Sequence, residues 1–207
     1  WEAWLGLENA RIARSLMIMK SHLHGGLAGH GLTVGSDTLL KKLVVRSTAK
    51  RTAIIDLSGM KCADRVSLLD LQCPGATISL VRAEIAEQLT VARVKAERLN
   101  CQGFSALWGT ISHASLEREL LLQTGTVQGF LKIRHTRVAP PVEVLNEQGP
   151  ACETECRIQA DGFSCGDDLS VYASFVWGCV RGRNIRVGKN LDVWQLLVAG
   201  PCTRASI

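Results

Sequence analysis

The chain is short of aromatic rings, which make up 5% of its 207 residues. An exposed platform on which nucleic-acid bases stack needs such rings, so composition argues against one. No apolar run approaches the ~18 residues of a membrane-spanning helix. Eight cysteines are present without a single CxxC pair, which argues against a zinc ribbon or a thioredoxin-like centre. The opening residues, Trp1 to Trp4, show no basic segment leading into an apolar stretch, so no signal peptide is visible. The expected location is therefore cytoplasmic, at most peripheral to a membrane. In that setting the cysteines read as reduced thiols that serve as small apolar fillers. The lack of an initiator Met and the abrupt end read as a processed chain or a piece of a longer one. No phosphate loop, nucleophile elbow or HExxH helix motif occurs. Charge is not extreme either: the net value is +5.

What is present is a repeat. Pairs of apolar residues separated by one residue recur along the chain. They include Leu16/Ile18, Leu43/Val45, Ile55/Leu57, Val66/Leu68, Ile78/Leu80, Leu89/Val91, Leu99/Cys101, Leu120/Leu122, Leu131/Ile133, Leu169/Val171 and Leu191/Val193. Each pair points to one face of a strand, because side chains alternate with period two. The usual step is about 11 residues, and Phe163–Val171 echoes Ile185–Val193 at 22. Internal periodicity of this kind marks stacked units. A short strand cannot bury its apolar face alone, but coils stacked ~4.8 Å apart form a continuous core. The expectation is an all-β solenoid of about 22 residues per coil, forming a single domain over residues 1–207.

Two stretches compete with that reading. Residues 81–99 and the N-terminal segment both show partial helical spacing. The 11-residue register runs through the first, which favours strand. For the second, a short helical cap over the first coil is a reasonable way to cover open strand edges. Residues 136–162 break the register, with Pro140, Pro141 and Pro150 among acidic residues. Proline cannot donate to a strand ladder, so this segment is expected to leave the cylinder.

Residues 163–195 resemble a bacterial repeat family whose members read like GGDLxLxGA, related to pentapeptide-repeat and bactofilin-type β-solenoids. Gly166-Asp-Asp-Leu169 and Gly188-Lys-Asn-Leu191 occupy the GGDL positions, and Gly178-Cys-Val180 the GxV step. The likeness is eroded over residues 12–135 and fails over 136–162. It implies a parallel β-helix, right-handed, and no activity or catalytic residue.

Few constellations carry chemistry. Cys152, Cys156 and Cys165 are the candidates for a zinc site or a disulfide pinning the excursion, although a fourth ligand is lacking. His22, His24 and His30 are close in sequence, but read better as surface histidines. Asp167 and Asp168 read as turn residues rather than a catalytic pair. No catalytic residue, cofactor or small-molecule substrate is indicated. Cations cluster at Arg181, Arg183, Arg186 and Lys189, and again at Lys132, Arg134, His135 and Arg137. In a solenoid such residues stack into stripes. The expected function is a non-enzymatic scaffold or protein-interaction module, self-association included. The alternative is a binder of nucleic acid or an anionic membrane surface through Arg181, Arg183, Arg186 and Lys189. A carbohydrate-active β-helix enzyme is the third reading.

Overall fold

The computed structural model describes residues 4–48, 52–139, 156–199 and 205–206, and every regular element among them is a β-strand. The strands lie in three parallel sheets, named here A, B and C. Sheet A has fourteen strands; B and C have eight each. The chain passes through A, B and C in turn and returns to A, and eight such circuits stack as the coils of a β-solenoid. Residues 81–99 follow the strand reading: they supply Glu84–Ile85 in B, Gln88–Ala92 in C and Lys95–Asn100 in A. The helical cap is corrected. Trp4–Gly6, Arg11–Ile12 and Leu16–Met19 are strands, each paired with the coil above.

The apolar pairs of the sequence are the inward rungs. Leu5, Leu27, Ile55, Ile78, Leu99, Leu120, Ile158 and Val180 stack in sheet A. Val66, Leu89, Gly109, Leu131, Leu169 and Leu191 stack in sheet C. The 11-residue step is thus a half-turn that alternates between A and C. Most of these side chains are fully buried, and they join one contiguous core. Each buried leucine or isoleucine contributes about 1.5–3 kcal/mol of transfer free energy. The last described coil differs. Leu191 and Val193 continue the inward rungs of Leu169 and Val171 but are both 42% exposed.

Coil length varies at one main place. Successive inward residues of sheet B are Ile12, Val34, Cys62, Ile85, Ala106, Val127, Cys165 and Val187. Most steps lie near 22 residues; two are far longer, from Val34 to Cys62 and from Val127 to Cys165. The extra residues fall where sheet A is crossed, between Val44–Arg46 and Ile54–Asp56, and between Arg137–Val138 and Cys156–Gln159. A bulge between Cys73 and Thr77 sits at the same junction. The expected excursion over 136–162 is therefore narrower. The coil path continues through Val138 and resumes at Cys156, because the prolines lie between them and the flanking strands keep their donors. Prolines 140, 141 and 150 lie outside the described residues, as do Glu143, Glu147, Glu153 and Glu155.

Four described cysteines are free and buried: Cys62, Cys73, Cys101 and Cys165. Burial pushes the thiols of Cys73 and Cys101 up to about 12. Unfolded thiols ionise near pH 9, so the unfolded state loses protons first and stability falls as pH rises from 9 toward 12. Native protein treated with iodoacetamide at pH 8 should keep Cys73 and Cys101 unmodified by mass spectrometry. Their replacement by alanine should flatten the alkaline decline of the melting midpoint. Rapid native alkylation would contradict their burial.

Candidate functional site

Two corners of the coil contain a residue with left-handed backbone, and they are filled differently. At the A-to-B corner the positions are Asn9, Gly31, Gly59, Arg82, Gly103, Thr124, Gly162 and Asn184. Half of these are glycine, the residue that adopts positive φ without steric cost. At the C-to-A corner they are Lys20, Lys42, Asp70, Arg93, His113, His135, Ala173 and Gln195, with φ between 45° and 56°. None is glycine. Left-handed geometry costs an L-residue roughly 1–2 kcal/mol, so this corner carries repeated strain. Seven of the eight residues have polar side chains, and these stand outward as a ridge along the solenoid.

The ridge is cationic. It carries Lys20, Lys42 and Arg93. The adjoining outward row of sheet C adds Lys41 and Arg134, and that of sheet A adds Lys95 and Arg137. Against these seven cations stands one acid, Asp70, and it is neutralised by a bidentate pair with Arg93. That guanidinium holds the Asp70 carboxyl below the usual range. Lys20, Lys41, Lys42, Lys95, Arg134 and Arg137 make no ion pair with the described residues. Further acids begin one row beyond, at Asp192 on sheet C and at Glu97 and Glu117 on sheet A. Glu97 is paired with Arg118.

Rings run along the second half of the ridge. His113 and His135 stack with centroids 4.8 Å apart, the His135 ring meets Tyr172 edge-on at 5.7 Å, and Tyr172 meets Trp194 at 5.5 Å. Tyr172 reaches His135 because the corner residue of its own coil is the small Ala173. Arg137 lies over the Phe175 ring at 5.1 Å. Trp194 and Leu197 are exposed here. Apolar side chains also mark the first coils, where Met17 and Met19 stand outward on sheet C, 58% and 47% exposed, with Leu39 beside Met17. In the middle coils the same outward rows hold Ser67, Thr90, Thr110 and Ser112 together with Leu69 and Ala92, so most of these positions take polar residues.

The four cations singled out at the C-terminal end do not form a stripe. Arg181 lies on sheet A, where its Nη2 donates to Asp161 Oδ2 at 2.8 Å and to Gln159 Oε1 at 3.0 Å. Arg183 is in the A-to-B turn, and its backbone N–H donates to Asp161 Oδ1. Arg186 stands outward on sheet B, and Lys189 pairs with Asp167 at 2.8 Å beyond it. The group therefore spreads over successive faces of one coil, with two of its charges neutralised. Of the second cluster, Arg134, His135 and Arg137 line the ridge, while Lys132 stands one row beyond, over the Phe130 ring. Sequence reasoning missed the contribution of Lys20, Lys41, Lys42 and Lys95, which come from three different coils and share the ridge only through the stacking.

The two described cysteine candidates lie on different sheets. Cys165 faces the core of sheet B, and its thiol donates to Gly129 O at 3.1 Å and Asp168 O at 3.3 Å. Burial raises its pKa. Cys156 pairs through its backbone with Cys179 in sheet A. Cys152 lies outside the described residues. Cys179 is disulfide-bonded, which corrects the expectation that all eight thiols are reduced. His22 and His24 do share a strand face, but Arg46 is the ladder partner of His24 and His30 stands at the other corner. A small cavity of about 170 Å³ is lined by His22, Leu23, His24, Val44 and Arg46. Asp167 and Asp168 join successive coils: Asp168 Oδ1 accepts from both the backbone and the side chain of Asn190.

The chain matches no family model, no curated protein and no solved structure. The strain at the ridge is itself testable. Ala173 has no functional side chain to lose, so Ala173→Gly should relieve its φ of 45° and raise stability by about 1 kcal/mol or less, after the glycine entropy cost. A lowered denaturation midpoint would argue against left-handed geometry at this corner.

Proposed function

We propose that the protein is a non-enzymatic β-solenoid scaffold that docks onto a polyanionic partner through the ridge between sheets C and A. One observation carries this reading: a corner with left-handed backbone in eight successive coils holds seven polar side chains, and with its two adjoining rows gathers seven Lys and Arg against one acid, itself neutralised. Strain of this kind is tolerated where the displayed groups matter. A rigid rod places its charges at fixed intervals of ~4.8 Å, and a line of unpaired cations raises the local concentration of an anionic partner.

Immobilised heparin serves as a polyanion probe. The chain should be retained at low salt, and log affinity should fall linearly with log salt. Lys20→Glu with Lys42→Glu, and separately Arg134→Glu with Arg137→Glu, should each weaken retention and flatten that dependence. Arg186→Glu with Lys189→Glu, on another face, should change it little. Loss of retention only in the last variant would refute the ridge reading in favour of the C-terminal group.

A second reading, association with another copy, draws on Leu191 and Val193. These inward rungs are half uncovered in the last described coil, and uncovered apolar rungs take further stacking, whether from a following segment or from a second copy. Sedimentation equilibrium should then show association that rises with concentration and is lost in Leu191→Ser with Val193→Ser. A monomer at all concentrations would remove this reading.

A further inference from the structure

Resting on the ridge reading, we infer that the polyanion is the surface of an acidic phospholipid bilayer. Bases of a single-stranded nucleic acid bind by stacking on free aromatic faces. On the ridge, the rings of His113, His135, Tyr172 and Trp194 are already packed against one another. These contacts take up part of the ring surface that stacked bases would use, although Trp194 stays 66% exposed.

The apolar residues point the same way. Met17 and Met19 stand exposed beside Lys20 and Lys41, and Trp194 and Leu197 stand exposed near the other end. Neither nucleic acid nor a sulfated polysaccharide rewards exposed methionine. A bilayer does: apolar side chains enter the boundary between headgroups and acyl chains, while lysines engage acidic headgroups. Tryptophan and tyrosine favour that boundary because one part of each side chain is apolar and another polar. Shape agrees as well. The ridge runs the length of about eight coils, roughly 35 Å at the inter-strand spacing, so it can lie along a broad surface.

The test is co-sedimentation of the full chain with vesicles of phosphatidylcholine alone, and of phosphatidylcholine with about one-third phosphatidylserine. Binding is expected only to the acidic vesicles. Lys20→Glu with Lys42→Glu should reduce it at least about fivefold per cation lost and should also weaken heparin binding. Met17→Ser with Met19→Ser should reduce vesicle binding while leaving heparin binding intact. Circular dichroism should be the same for all variants, since the altered side chains are exposed. Heparin binding without binding to acidic vesicles overturns the lipid inference and leaves the ridge reading standing. Loss of both in the unaltered chain overturns both. A Met17/Met19 variant that binds vesicles as the parent does also overturns the inference, as does a single-stranded oligonucleotide that binds more tightly than the acidic vesicles.

Discussion

Everything in this molecule depends on parallel strands of successive coils remaining in register. Each inward side chain rests on its counterpart one coil away, so a coil that gained a residue inside a strand would turn its apolar face outward. The chain meets this constraint by keeping strands short and confining most length changes to one junction. That is why Leu99 finds Leu120, and why Leu120 finds Ile158 across a long interruption. Buried cysteines obey the same rule. Cys62 and Cys165 occupy equivalent rungs of sheet B, and each thiol donates to the carbonyl of the third residue on, Arg65 or Asp168.

The same register converts a scattered sequence into ordered surfaces. Glutamines illustrate it plainly: Gln102 donates to Gln123, and Gln123 donates in turn to Gln159. The C-to-A corner is the more consequential case. There the fold places residues about 22 apart side by side, and the corner geometry points all of them outward. Basic residues that would repel one another by proximity are held in line by a core that does not depend on them.

The fold was largely legible because its signal is the one that sequence carries best. Alternating apolar residues at a constant step are visible without any structure, and they located the inward rungs of both sheet A and sheet C. The ridge was not legible, for an equally physical reason. Left-handed corners announce themselves when filled by glycine or asparagine, but Lys42, Arg93 or Gln195 at such a position looks like any other polar residue. The cluster around Arg181 misled for a related reason. Nearness in sequence is not nearness on one face when the chain turns a corner every few residues, and Asp161, 20 residues before Arg181, is near it in space. The short insertion after Arg46 was also hidden, since it contains no proline to mark a departure from the register.

The junction inside sheet A has a consequence of its own. Extra residues enter there after Arg46, after Val138 and at the bulge beside Pro74, while the C-to-A corner keeps one residue per coil throughout. The rod therefore has one margin that can be lengthened and another that cannot. Segments grafted at the first would leave the spacing of the second untouched. Two binding properties on the same cylinder, one carried by inserted loops and one by the fixed corner, could then diversify independently without either disturbing the core between them.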